Sequence, residues 1–133
     1  MSLRPKSILF VDDDEDDLNF ITSAFTNLGI QNSLHTFNTG KELMEALMEG
    51  KAGNPCLIIL DLNLQGLSGL EILDSLRKNN NYSKIPVVIL STSSTVEDIR
   101  KAISKGAVDY IPKPYSVAGY ELIAAKLASI WCS

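Results

Sequence analysis

Residues 7 to 20 read SILFVDDDEDDLNF: a short apolar run, six consecutive carboxylates (Asp12 to Asp17), then the start of an amphipathic segment. Neighbouring like charges repel by roughly 1 kcal/mol per pair at 4 Å in water, and by more beside a low-dielectric surface. The run must therefore be solvated or used. Its place in the chain says which. Ser7–Val11 is apolar without alternation, the pattern of a strand buried on both faces. The same pattern returns at Leu57–Leu60 (LIIL) and Val87–Leu90 (VVIL), and more weakly at Ser33–Phe37 (SLHTF) and Ala107–Ile111 (AVDYI).

Helical spacing fills the intervals. Leu18, Ile21, Phe25 and Leu28 lead to a stop at Gly29. Lys41 to Glu49 form a second segment, with Asn38 or Thr39 as cap and Gly50 as stop. Ser68 caps a third that carries Leu70, Leu73 and Leu76 and ends in Asn79–Asn80–Asn81. Val96, Ile99 and Ile103 mark a fourth, ended by Gly106, and Ile123, Leu127 and Ile130 a fifth. Strict alternation of doubly buried strands with helices predicts an α/β fold, a doubly wound five-stranded parallel sheet with helices on both faces. The loops Gly50–Pro55 and Lys78–Lys84 read as solvent-side connections. With 133 residues and no linker, repeat or low-complexity segment, a single domain over residues 1–133, core about 6–130, is expected.

Composition narrows the function. Net charge is −4, but without the opening acids the balance is 10 acids against 12 bases, so the acidity is local. No basic stripe points to nucleic acid, and no apolar run approaches a membrane span or a leader. A cytoplasmic protein is expected. Cys56 and Cys132 stand far apart without metal-ligand spacing and read as free thiols in a reducing compartment. His35 reads as a surface strand residue. Met44 and Met48 read as core, and Trp131 and Cys132 as packing for the last helix or a partner face.

In open parallel sheets, ligands bind outside the carboxyl ends of the strands. Asp12 and Asp13 follow the first strand, Asp61 the third, Ser91 and Thr92 the fourth, and Lys113–Pro114 the fifth. Three clustered carboxylates call for a cation. Oxygen-only ligands favour a hard ion, and a small open set favours Mg²⁺ (with Mn²⁺ able to substitute) over a Ca²⁺ cage. The glycine and terminal glutamate of a Ca²⁺ loop are missing from DDDEDDLNF. A strand-tip carboxylate beside Mg²⁺ and an ammonium is equipped to attack phosphorus. The helix-start reading, in which acids suit the positive end of a helix dipole, covers Glu15, Asp16 and Asp17; Asp14 is a borderline neighbour of the metal.

Four ordered motifs, ILFVDDD, LIILDLNLQGLSGLEIL, IPVVILSTSS and GAVDYIPKPY, give the chain from about Lys6 to Ile130 a resemblance to the receiver domains of two-component response regulators. The resemblance implies a flavodoxin-like fold and a signalling phosphoacceptor that catalyses only its own phosphorylation and dephosphorylation. Asp61 would accept the phosphoryl group. Asp13 would bind Mg²⁺ directly, Asp12 through water, and Asn63 through its backbone carbonyl. Lys113 would pair with phosphoryl oxygens across a cis Lys113–Pro114 bond. Ser91 and Tyr110 would be the switch pair that changes the face formed by the fourth helix, fifth strand and fifth helix. The expected donor is a histidine kinase or histidine phosphotransfer domain, in a phosphorelay ending on an unknown output protein. A stand-alone receiver without output domain, monomeric or weakly dimeric, is expected. Asn63 and Ser93 would leave the phosphoryl group open to water, for a short-to-moderate lifetime.

The pattern departs from the family at Gln65, where many members have proline; Gly66 and Gly69 can still supply turn flexibility. Two other readings stand beside this one. The first is a degenerate receiver that binds partners without phosphorylation. The second is a Mg²⁺-dependent phosphatase with an aspartate nucleophile, similar to the haloacid-dehalogenase type. That type needs a second acid two residues on, where this chain has Asn63.

Overall fold

The structure is a computed structural model that describes residues 6–92 and 95–132. Ten elements alternate: β1 (Lys6–Val11), α1 (Glu15–Leu28), β2 (Ser33–Phe37), α2 (Gly40–Met48), β3 (Asn54–Asp61), α3 (Gly69–Lys78), β4 (Val87–Ser91), α4 (Val96–Ser104), β5 (Asp109–Pro112) and α5 (Val117–Trp131). The strands form one parallel, flavodoxin-like sheet in the order β2-β1-β3-β4-β5. The chain leaves β1 toward one edge and β3 toward the other. The cleft between their carboxyl ends is the switch point where such sheets bind ligands.

The period-2 alternation of strand side chains divides two cores. Leu9, Val11, Ile58, Leu60, Val87 and Ile89 face α2, α3 and α4. Ile8, Phe10, Leu57, Ile59, Val88 and Leu90 face α1 and α5. With both sides covered, β1, β3 and β4 have no polar face, which explains the continuous apolar runs.

Caps set the helix starts. The side chains of Asp14, Thr39, Ser68, Thr95 and Ser116 each accept a backbone N–H from the first turn of their helix. Gly29, at φ 62°, closes α1 in the left-handed conformation that a side chain resists.

Several expectations are corrected. β5 begins at Asp109, because the N–H of Ala107 still bonds the Ala102 carbonyl and completes the end of α4. β3 begins at Asn54, where Asn54 and Pro55 pair with Lys6 and Ser7, so the preceding loop is shorter than Gly50–Pro55. Met48 is 69% exposed, since α2 buries Leu43 and Leu47 instead; Met44 packs against the core. Val96 and Ile103 are exposed, and Ala102 is the residue of α4 that is fully buried. His35 lies half-buried on the edge strand β2. Cys56 and Cys132 are not free thiols. They form a disulfide with Cα atoms 5.5 Å apart, because the end of α5 returns to the start of β3. Trp131 packs into the α1–α5 core. Ser93 and the first three residues lie outside the described residues.

Candidate functional site

Asp12 directly follows β1. Its backbone N–H bonds the Phe37 carbonyl at 3.0 Å, and its Oδ1 accepts the Asp14 N–H at 2.9 Å. The carboxylate is thus aimed across the sheet edge and fully buried. Asp61 ends β3, beside β1, and its Oδ1 accepts the Asn63 N–H at 3.2 Å. Gly69 opens α3 against this strand end. A Cβ there would collide with the Asp61 carbonyl, so Gly69 serves close approach rather than turn flexibility. Gly66, at φ 78°, is the residue that turns the loop.

Asp13 is exposed at the mouth of the cleft, and its Oδ2 accepts the Gln65 N–H at 3.2 Å. Proline has no N–H to give. The departure at Gln65 therefore supplies a hydrogen bond to Asp13 that the commoner residue could not. Asp12, Asp13 and Asp61 each offer an oxygen within 4.8 Å of the others, a spacing that suits one hard cation. The Asp12 Oδ2 is buried with only a charge contact to Lys113 and no partner of full hydrogen-bond geometry, so it keeps acceptor capacity for a ligand.

Lys113 enters from the loop after β5. Its backbone N–H bonds the Ser91 carbonyl at 2.9 Å, and its side chain is 8% exposed. The Nζ donates to Asp61 Oδ2 at 3.1 Å and forms ion pairs with Asp12 Oδ2 at 2.9 Å and Asp17 Oδ2 at 2.7 Å. The expected cis Lys113–Pro114 bond is not present: the peptide is trans, the form an X–Pro bond prefers by about 0.5–1 kcal/mol. The four-carbon side chain reaches inward without it.

Ser91 ends β4, buried, on the strand beside Asp61. Thr92 is exposed. Tyr110 lies half-buried on β5, opposite Ile89, against the core beneath α3 and α4. Asn63 is exposed on the loop after Asp61.

The six acids divide differently from the expectation. Asp14 caps α1, with its Oδ1 taking the Asp16 N–H at 2.8 Å, and Glu15 and Asp16 are exposed. Asp17 is no surface acid suited only to the helix dipole. It is 8% exposed and makes the shortest of the Lys113 ion pairs. The signal lies in the spacing: Asp17, Ile21, Ala24 and Phe25 form the buried stripe of α1. A charge on an apolar stripe asks for a buried partner. Tyr120, on the buried stripe of α5, is a second residue that the motifs do not point to. Its hydroxyl is buried beside Asp17 without full hydrogen-bond geometry.

The electrostatics follow from crowding. Burial pushes the Asp12 carboxyl up to about 7; the Asp14 N–H and Lys113 oppose this, and the Asp61 charge adds to it. Burial alone would lower Lys113, but hydrogen bonds and charge from Asp17, Asp12 and Asp61 outweigh it and hold the ammonium protonated far above its usual range. Burial, then the charges of Asp17 and Asp12, push the Tyr120 hydroxyl upward. A groove of about 380 Å³ between α1 and β2, lined by Thr22, Phe25 and Leu34 among others, contains no charged side chain and lies apart from this chemistry.

The chain is similar to known proteins. Residues 8–125 match the family model of the response regulator receiver domain. The probable methanogenesis regulatory protein FilR2 of Methanothrix harundinacea (strain 6Ac) is 29% identical over 130 residues, which span 96% of this chain and 84% of that protein. The transcriptional regulatory protein QseB of Haemophilus influenzae is 33% identical over 92% of this chain, but the match spans only 51% of QseB. In the nitrogen assimilation regulatory protein NtrX of Azorhizobium caulinodans, 35% identical over 82% of this chain, the match spans only 23% of the protein. Among solved structures, the phosphorylated cyanobacterial phytochrome response regulator RcpA superposes with a TM-score of 0.86 at 31% identity, covering 97% of this chain and 95% of that one. The Mn²⁺-bound form of response regulator Rcp1 gives 0.84 at 27% identity, covering 97% and 96%. Together with the parallel sheet and its acidic cleft, these matches establish that the chain belongs to the response regulator receiver domain family.

Proposed function

We propose that Asp61 accepts a phosphoryl group from a phosphohistidine donor, either a histidine kinase or a histidine phosphotransfer domain. One observation carries this reading. The Asp61 carboxylate shares a cleft with two further metal-ligand oxygens and accepts a hydrogen bond from a buried ammonium. A carboxylate oxygen of Asp61 forms the new O–P bond as the P–N bond to the donor imidazole breaks, and the leaving imidazole takes up a proton from solvent. Lys113 neutralises charge on the phosphoryl oxygens. Asp13, Asp61, the Asn63 backbone carbonyl and, through water, Asp12 would hold Mg²⁺ or Mn²⁺. The bound ion would supply further charge neutralisation and in-line alignment. The solved form of Rcp1 is Mn²⁺-bound and that of RcpA is phosphorylated, and both support the same capacity here.

Ser91, on the strand next to Asp61, is the hydroxyl that would follow the phosphoryl group, and Tyr110 the aromatic that would follow Ser91. The face of α4, β5 and α5 would carry the change to an output protein or a second copy. α4 suits that task, since Val96 and Ile103 are exposed and Ala102 is its fully buried residue. This reading places the exchange in the cytoplasm. Among the described residues, no helix is long and apolar enough to cross a membrane.

The test is incubation with acetyl phosphate and Mg²⁺, read by intact mass. One added phosphoryl group is expected, absent from Asp61→Asn and absent in chelator. No labelling of folded protein that binds Mg²⁺ would favour a phosphorylation-independent binding module. Repeated turnover of small phosphate esters would favour a phosphatase.

A further inference from the structure

We propose that Asp17 is a positioning residue for phosphoryl transfer, holding the Lys113 ammonium against Asp61. The inference rests on the reading of Asp61 as phosphoacceptor and adds a residue that the metal cluster does not contain. Three carboxylates surround the Lys113 Nζ, and each comes from a different element: Asp12 after β1, Asp17 from the first turn of α1, Asp61 from the end of β3. The Asp61 contact is a hydrogen bond at 3.1 Å, and Asp12 and Asp17 form ion pairs with the ammonium at 2.9 and 2.7 Å. These two pin the ammonium from the sides and leave an N–H aimed at Asp61.

Asp12 and Asp61 have other obligations. Both belong to the group whose oxygens suit a cation, and Asp61 must give an oxygen to phosphorus. Asp17 stands outside that group. It is thus the carboxylate around Lys113 that neither metal nor phosphoryl group claims. Its charge is favoured by the N-terminal end of α1, its backbone is fixed in a helix, and its side chain is 11% exposed. Tyr120 packs near Phe10 and Phe20 at ring separations of 6.2 and 6.1 Å, with its hydroxyl beside Asp17. As charge is drawn from Asp12 and Asp61, Asp17 remains to keep Lys113 from sliding.

Two variants and one spectroscopic signature test this. Wild type and Asp61→Asn first establish labelling by acetyl phosphate; an unlabelled wild type would sink the phosphoacceptor reading and this one with it. Asp17→Ala should then lower the labelling rate at saturating Mg²⁺ about tenfold, the size of a modest misplacement of a reacting group. Asp17→Asn keeps the shape and removes the charge, so it should lose nearly as much, a result that simple loss of packing would not produce. In both, the Mg²⁺ concentration giving half the maximal rate should stay within about twofold of wild type, since Asp17 does not ligate the ion. Wild-type or faster labelling in Asp17→Ala would overturn the proposal, as it would mean that Asp17 competes for Lys113. A parallel rise in the Mg²⁺ requirement would overturn it too, by placing the effect on the metal. Should Asp17→Ala fail to fold, the Lys113 ammonium resonance decides. It should be protected from exchange in labelled-nitrogen spectra of wild type and lose that protection in Asp17→Asn; unchanged protection would refute the hold.

Discussion

The two edges of the sheet treat charge in opposite ways. At the carboxyl edge, Asp12, Asp17 and Asp61 share the ammonium of Lys113, and Asp13 lies close to Asp12 and Asp61. At the amino edge, the half-buried Arg77 guanidinium meets backbone carbonyls among the described residues. It donates to Gly106 from Nε at 3.3 Å and Nη2 at 2.9 Å, and from Nη1 to Ser83 at 3.1 Å and Ile85 at 2.9 Å. This ties the end of α3 to the turns before β4 and β5. Nearby, Ser7 Oγ bonds the Ala52 carbonyl at 2.6 Å, Asn32 bonds the carbonyls of Lys6 and Cys132, and Cys56 joins Cys132. Among the described residues, these polar groups of the amino edge are paired within the chain. The carboxyl edge carries surplus negative charge that only a cation or a rearrangement can relieve. Stability is built at one end of the strands and given up at the other.

If that division holds, perturbing the amino edge should cost stability without any response to Mg²⁺. The largest effect is expected from the disulfide, whose cysteines are 76 residues apart. Cys132→Ser should lower the unfolding free energy by about 2–4 kcal/mol, the usual range for losing a bridge across a long loop. Urea titration without reductant measures it, and wild type with reductant should show a similar loss. A loss that Mg²⁺ recovers would mean that the two edges are coupled.

Arg77→Ala should come next. It removes a donor set from three partly buried carbonyls, for about 2 kcal/mol. Because the partners carry no net charge, the loss should persist in high salt and in Mg²⁺. Urea titrations at low and high ionic strength compare the two directly, and strong salt dependence would show that the guanidinium acts as a charge, like Lys113.

The same contrast governs what the chain reveals on reading. The carboxyl edge is legible because strands declare themselves. Continuous apolar runs mark β1, β3 and β4, and the polar residues that end them must converge where parallel strands end. Asp12, Asp61, Ser91 and Lys113 fall on one edge for that reason. The amino edge is hidden, because its bonds join residues whose proximity depends on how helices return. Cys56 and Cys132 meet only because α5 ends over the start of β3, and Arg77 carries no motif that would single it out. Asp17 is the instructive failure. It reads as part of the charge run that surrounds it rather than of the stripe of Ile21, Ala24 and Phe25 that it continues. Neighbours along the chain and neighbours around a helix give different answers, and burial follows the helix. The trans Lys113–Pro114 bond is a failure of another kind, since no local pattern distinguishes the isomers and the resemblance alone suggests cis.

The smallest expected effect probes the carboxyl edge alone. Asp12 is held up to about 7, well above its ordinary value of 3.8, chiefly by burial. A carboxyl whose affinity for protons rises on folding stabilises the fold when protonated. Its contribution is complete below its unfolded value and is lost as pH rises through about 7. Metal-free protein should therefore gain about 1 kcal/mol as pH falls from about 8 to about 5.5, the opposite of the usual loss for paired carboxylates. Urea titrations across this range measure it. Asp12→Asn should abolish the gain and stabilise the metal-free protein at the upper end, because an amide does not repel Asp61. Saturating Mg²⁺ should flatten the profile from the other direction, since the ion favours the charged carboxylate. A metal-free profile that instead falls with acid would mean that Lys113 neutralises Asp12 fully, and the carboxyl edge would then hold no surplus charge for a ligand to relieve.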